Sequence, residues 1–273
     1  MNVSAGTRRN FFQNLETNLF PNLLDSHFDL DHNRNVFTLA SRNLTELENS
    51  VRILSIEILR ESNHNLHYGV HPNVGTIDVV PFVSYDNSTH IPTTETIAGA
   101  NSFGQWIQNE FDIAAFFYDF ASDEKITLPD LRRKIKNDSQ MHEKKHLEHG
   151  FVCVGARKPL VAINVDLETR NLDFAKNIVK TIRESSGGIK NVRALAFALG
   201  SKNQMQVSMN IIDAMETNAE EVVEFIQKLA EKESITSKVE LVGLVPMAQY
   251  NFWSEKFKET SQLDPSCVIE NRL

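Results

Sequence analysis

The chain has 273 residues, 41% of them hydrophobic and 23% charged, the balance of a folded globular protein rather than a disordered one. Its formal charge of -8, from 28 Lys+Arg against 36 Asp+Glu, offers no cationic face for a phosphate backbone and argues against nucleic acid as a partner. No apolar run nears the roughly 18 residues of a membrane helix, Arg8 and Arg9 are not followed by a signal-peptide core, and the cysteines, Cys153 and Cys267, form no disulfide framework, so a cytoplasmic protein with no membrane contact is expected.

Met1 to Val3 reads as a short strand. Arg8 to Phe20 reads as a helix, with Phe12, Leu15 and Leu19 at spacings of three and four. Leu23 to Phe28 and Asn35 to Ala40 read as strands around the polar turn Asp29 to Arg34. A long helix opens at Asn43, whose side chain can cap it with Glu46 three residues on, and Leu47, Val51, Leu54 and Ile58 form its apolar stripe. Gly69, Pro72 and Gly75 punctuate a loop, after which Ile77 to Val83 reads as a strand that is apolar except at Asp78 and Pro81. That completes a βαββαβ order. Thr94 to Glu110 then reads as a helix, Ile113 to Phe120 as a buried strand and Pro129 to Lys136 as a short basic helix. Asn137 to His149 is polar and irregular, and Cys153 lies in an apolar run assigned to the core.

The second half repeats the order. Leu160 to Leu167 is a strand, Asn171 caps a helix carrying Leu172, Ala175, Val179 and Ile182, and Gly187 and Gly188 stop it. Val192 to Leu199 and Met205 to Ile212 are strands joined by a hairpin at Gly200 to Asn203. Thr217 with Glu220 reads as a capping box for a helix with Val222, Ile226 and Leu229, and Val239 to Val245 is the last strand. The expected fold class is therefore α/β (α+β), with two tandem ferredoxin-like βαββαβ subdomains over residues 1–158 and 159–248. A tail over 249–273 is either a docking helix or a disordered end. Each subdomain covers one sheet face with helices, so the open faces need a cover, and the cleft between the subdomains is the expected ligand site.

Pro72 forces His71 into an extended backbone just ahead of a buried strand, which holds an imidazole stiffly where it can move protons near pH 7. His64, His67 and His71, and His142, His146 and His149, have mirrored spacings that could serve zinc on helices. The first window contains Gly69 and borders Pro72, and the second is a lysine-rich loop, so no metal site is expected. Asn164 and Asn210 sit within apolar strands, where a polar side chain must face a partner or a cleft.

The stretch His71-Pro72-x-x-Gly75-x-x-Asp78-Val79-Val80-Pro81-Phe82 resembles the formiminotransferase domain of glutamate formiminotransferase and of formiminotransferase–cyclodeaminase. The resemblance runs from about Asn2 to about Ala248. It is carried also by Asn2-Val3-Ser4-Ala5-Gly6, Asp31-His32-Asn33-Arg34, Val154-Gly155-Ala156-Arg157, Ala162-Ile163-Asn164-Val165, Arg183-Glu184-Ser185-Ser186-Gly187-Gly188, Gln206-Val207-Ser208-Met209-Asn210 and Val242-Gly243-Leu244-Val245-Pro246. It implies two α/β subdomains with a folate cleft between them. It also implies transfer of a formimino group from N-formimino-L-glutamate to N5 of tetrahydrofolate, in histidine breakdown, with tetrahydrofolate as co-substrate. The family's catalytic histidine maps to His71.

Arg34 and Arg157 are candidates to grip the carboxylates of formiminoglutamate or folate. Gly150, at the end of the family's folate-contacting loop, and Asn164, Ser208 and Asn210 are the further substrate- or folate-binding candidates. The chain departs from the family at Val70 and Ala5, where Glu is usual, and at Asn73, where Arg is usual, and the Trp-x-Pro-Asp-x-Gly-Pro segment of the folate loop is missing. Folate binding is therefore expected to be weaker or altered, and an inactive, ligand-binding paralogue stands as the competing class. No cyclodeaminase domain is expected after Leu273. The partners expected are the small-molecule substrate and folate, and a homodimer is compatible with the sequence.

Overall fold

The computed structural model describes residues 1–4, 22–62, 68–85, 91–138 and 148–273, which fall into two units, Met1–Lys158 and Pro159–Leu273. The expected helix from Arg8 to Phe20 lies outside the described residues. In the first unit the described strands are β1 (Asn2–Val3), β2 (Leu23–Asp29), β3 (Arg34–Leu39), β4 (Ile77–Phe82), β5 (Ala115–Asp119) and β6 (Val152–Ala156). They form one sheet in the order β2-β3-β1-β4-β6-β5. The first four are antiparallel neighbours in the ferredoxin-like order, while β6 runs parallel to both β4 and β5.

Parallel neighbours need crossover connections, and helices supply them. Helix α1 (Leu44–Glu61) connects β3 to β4, α2 (Thr94–Phe111) connects β4 to β5, and α3 (Leu128–Asn137) lies between β5 and β6. The expected cap on α1 forms, with Asn43 Oδ1 accepting from the Glu46 amide at 3.2 Å. Val51, Leu54 and Ile58 of α1 and Phe103 and Ile107 of α2 bury against Val3, Phe37, Ile77, Val80, Val152 and Val154. Leu131 and Ile135 of α3 pack instead with Val79, Cys153, Phe151 and Tyr118. Neighbouring strand residues thus go to different clusters, which puts α3 on the sheet face opposite α1 and α2. Strand β6 extends the expected four-strand sheet; its Val152-Cys153-Val154 run is buried on both faces.

The second unit holds β7 (Val161–Leu167), α4 (Leu172–Ile182), β8 (Val192–Leu199), β9 (Gln204–Ile211), α5 (Ala219–Lys232) and β10 (Ser237–Leu241). The sheet order is β10-β7-β9-β8, all antiparallel, again ferredoxin-like. Alternation decides its faces: Val161, Ile163, Val165 and Leu167 enter the core beside Val207, Met209, Ile178 and Ile226. Helix α5 is capped by Asn218, which accepts from the Glu220 amide at 3.0 Å, and not by Thr217 as expected. The Thr217 hydroxyl donates to the Lys190 carbonyl instead, tying the helix entry to the turn just before β8. The last strand ends at Leu241, short of Val245, before a turn at Gly243 with φ 74. The tail carries α6 (Met247–Phe252) and α7 (Glu255–Thr260) and folds onto this unit, with Trp253, Phe257 and Leu263 in its core. No described helix is long and apolar enough to cross a membrane.

Candidate functional site

His71 is held by backbone on both sides of its loop. On one side the loop docks on the turn between β2 and β3: the Val70 amide donates to the Asp31 carbonyl at 3.0 Å. Gly69 is required there, since a Cβ would meet the His32 carbonyl oxygen at 1.9 Å. The turn is itself rigid, with the His32 amide bonded to Asp29 Oδ1 at 2.7 Å and Asn33 in the left-handed region at φ 47. On the other side the Ser4 amide donates to the Thr76 carbonyl, and the Phe151 amide to the Val74 carbonyl. Gly75 forms a bridge with Gly150, and a Cβ on Gly75 would meet the Phe151 carbonyl oxygen at 2.1 Å.

The imidazole is half-buried and lies edge-on to the His32 ring, with centroids 5.7 Å apart. Its Nδ1 is 2.8 Å from the Pro72 carbonyl oxygen. A carbonyl can only accept, so Nδ1 carries the hydrogen and Nε2 keeps its lone pair. Asn73, standing where the family's arginine would, donates to the His71 carbonyl at 3.4 Å, and Val70 exposes its side chain.

Beside this imidazole stands a carboxylate that the strand pattern left unassigned. Asp78 is fully buried on β4. Its Oδ1 accepts from the Val74 amide at 2.9 Å, and its Oδ2 from Arg34 Nη1 at 2.7 Å and from Arg132 Nη2 on α3. Arg34, buried on β3, also donates to the Ser4 hydroxyl at 3.2 Å. Burial pushes the Asp78 carboxyl up, but Arg132, Arg34 and His71 overcome it and hold the group at about 2. Burial also lowers the His71 imidazole well below its ordinary value; the Arg34 and Arg132 cations add to this and outweigh the opposing pull of Asp78 and of the Pro72 carbonyl. The ring is therefore neutral at pH 7, with a lone pair on Nε2 and a net positive charge nearby. Such a group can take a proton from an attacking nitrogen and return it to a departing one. Cys153 faces the same ion pair, and burial first, then Asp78, pushes its thiol up to about 12, so it is no nucleophile.

The other expected residues separate by unit. Arg157, at the end of β6, donates to the Lys158 carbonyl at 2.8 Å and lies against the Tyr118 hydroxyl. Gly150 has φ 67, so its backbone role in the bridge to Gly75 accounts for glycine there. In the second unit Asn164, Ser208 and Asn210 share the sheet face opposite the core: Asn164 pairs with Ser208 in register, and Asn210 with Ala162 and Arg193. Asn164 Nδ2 donates to Glu240 Oε2 at 3.0 Å. The same face carries Asp166, bonded to Gln206 Nε2 at 2.8 Å and Lys202 Nζ at 2.9 Å.

Among the described residues no group of three or more His, Cys, Asp or Glu is placed to hold a metal; His64, His67, His142 and His146 lie outside them. Sequence reasoning missed Asp78, Arg132 and His32 as members of the His71 cluster. For Asp78 a signal existed, because an acid inside an apolar strand must be paired. For Arg132 there was only its place next to Leu131 on a short amphipathic helix.

The formiminotransferase family matches the chain in two consecutive parts. The N-terminal subdomain of the formiminotransferase domain matches residues 1–159, and the formiminotransferase domain that follows matches residues 162–264. A glutamate formimidoyltransferase from Streptococcus pyogenes serotype M1 is 30% identical over 276 residues, covering 92% of this chain and 88% of that protein. One from Thermoplasma acidophilum is 27% identical over 269 residues, covering 92% and 87%. A formimidoyltransferase-cyclodeaminase from Sus scrofa is 28% identical over 249 residues, which is 82% of this chain and 44% of that longer protein. With both parts matched in order along nearly its whole length, the chain belongs to the formiminotransferase family.

Proposed function

We propose that this chain transfers the formimino group of N-formimino-L-glutamate to N5 of tetrahydrofolate, with His71 as the acid/base. The observation that carries this reading is the placement of the imidazole: its Nδ1 is 2.8 Å from the Pro72 carbonyl oxygen, which makes Nε2 the unprotonated nitrogen, and the loop that carries it is tied to the Asp78 carboxylate shared by Arg34 and Arg132. The N5 lone pair attacks the formimino carbon and forms a tetrahedral centre. His71 Nε2 takes the N5 proton and gives it to the glutamate nitrogen, whose bond to carbon then breaks. The products are 5-formiminotetrahydrofolate and glutamate, so atoms and protons balance with no further reactant. The excess positive charge of the two guanidiniums around one carboxylate favours electron density building up beside the imidazole.

Asn164, Ser208 and Asn210 are proposed to supply hydrogen bonds to folate from the polar face of the second sheet, and Arg157 to meet a substrate carboxylate. Tetrahydrofolate is then a co-substrate, the pathway is histidine breakdown, and the compartment is the cytoplasm. The inactive-paralogue reading is not favoured, since relatives covering most of the chain are named as glutamate formimidoyltransferases.

The test is incubation of the full chain with N-formimino-L-glutamate and tetrahydrofolate, followed by acid treatment and reading of the methenyl-folate chromophore. Chromophore that grows with enzyme and needs both substrates is expected. Its absence at enzyme concentrations comparable to substrate would overturn the assignment.

A further inference from the structure

Among the described residues, the cluster around His71 sets two guanidiniums, Arg34 and Arg132, on the one carboxylate of Asp78. Arg34 alone would neutralise Asp78: it is buried, bonded at 2.7 Å and fixed by Ser4. The second cation arrives from a separate element. Helix α3 is started by Thr127, whose hydroxyl oxygen accepts from the Asp130 amide, with Pro129 in its first turn. It is anchored by Leu131 and Ile135 against Val79 and Cys153. That anchoring brings the neighbouring Arg132 onto Asp78 Oδ2, beside the Cys153 thiol, with its side chain 19% exposed against 8% for Arg34. A helix that merely covered the sheet would have no need to spend a guanidinium on a carboxylate already paired.

We propose, on the formimino-transfer reading above, that Arg132 is a positioning residue for the His71 imidazole, acting through the Asp78 carboxylate it shares with Arg34. Asp78 Oδ1 holds the Val74 amide, so the carboxylate that Arg132 orients also fixes the chain three residues beyond His71. Among the described residues, the charged and titratable groups facing the ring include Arg34 from β3, Asp78 from β4, Arg132 from α3 and His32 from the β2–β3 turn, with the Pro72 carbonyl on Nδ1. Removing Arg132 leaves a neutral Arg34–Asp78 pair. The imidazole then faces no excess cation and binds its proton more readily.

The experiment is NMR titration of the His71 ring, assigned by the resonance lost in His71→Gln, in wild type, Arg132→Gln and Arg132→Lys. Arg132→Gln is expected to raise the His71 midpoint by about one pH unit, and Arg132→Lys to return it most of the way. The acid limb of kcat/KM should move up by the same amount, with KM for either substrate little changed. A purely structural arginine would change stability and leave the titration in place. A His71 midpoint in folded Arg132→Gln that coincides with wild type overturns the proposal. Should Arg132→Gln fail to fold, Arg132→Met, which keeps more of the stem's packing, is read by the same shift. The titration uses no substrate, so it decides the role of Arg132 even if no formimino transfer is found.

Discussion

Replacing Asp78 by asparagine removes one negative charge from the centre of the first unit while keeping nearly the same shape. The asparagine oxygen still accepts from the Val74 amide, so that hydrogen bond survives. What is lost is the counter-charge for two guanidiniums whose side chains are 8% and 19% exposed. Leaving buried charge uncompensated costs about 3–5 kcal/mol, set against about 5–15 kcal/mol for a whole domain. With a urea m-value of about 2 kcal/mol per molar, the midpoint should fall by about 2 M. Trp106, packed on the core of the first unit, reports the transition by fluorescence in a Trp253→Phe background. A midpoint in Asp78→Asn within about 0.3 M of the parent would refute the reasoning, because the Arg34–Asp78–Arg132 group would then contribute almost nothing.

Other consequences follow from the same geometry. Gly69→Ala should cut kcat by about a hundredfold with only a modest change in melting temperature, since the His71 loop must lift off the His32 carbonyl, and steady-state kinetics reads it. Melting temperature should fall with pH, with His71 and Asp78 contributing at different stages. The unfolded chain protonates at histidine below about 6.5 while native His71 resists, so stability drops through that range, adding to the loss begun below about 8 by the buried Met1 amine, which the fold holds at about 5. Asp78, held near 2 in the fold against its ordinary 3.8, gives stability that is present above about 4 and lost as pH falls through about 2. His71→Gln should shrink the upper stage, to which His149, also lowered by burial, contributes as well, and Asp78→Asn should shrink the lower. Asn164→Asp should set two carboxylates together on the second sheet and destabilise by about 1–3 kcal/mol at pH 7, and Glu240→Gln should restore most of it in urea melts of the double variant.

Much of the fold was legible because its signals are local. The Asn43 cap with Glu46, the alternation from Val161 to Leu167 and the hairpin at Gly200 to Asn203 each depend on residues within a few positions of one another. Strand β6 was not legible, because Val152-Cys153-Val154 is apolar on both faces and carries no period, and its partners β4 and β5 are distant in sequence. The capping of α5 was misassigned because Thr217 and Asn218 are both good cap residues, and only the competing bond of Thr217 to Lys190 decides between them. At the site, Pro72 and the strand after it announced a stiff His71. The Asp78 carboxylate announced itself as an acid in an apolar strand. Its partners did not, since Arg34 and Arg132 lie 44 and 54 residues away and meet it only through the sheet and α3.

The central claim is that one neutral imidazole carries the proton from the attacking nitrogen to the departing one. The most direct measurement is the rate of formimino transfer by His71→Ala beside wild type, with circular dichroism confirming that both are folded. The account predicts a loss of about 10²–10⁴ in kcat with little change in KM. A His71→Ala protein that transfers the formimino group at the wild-type rate would contradict it.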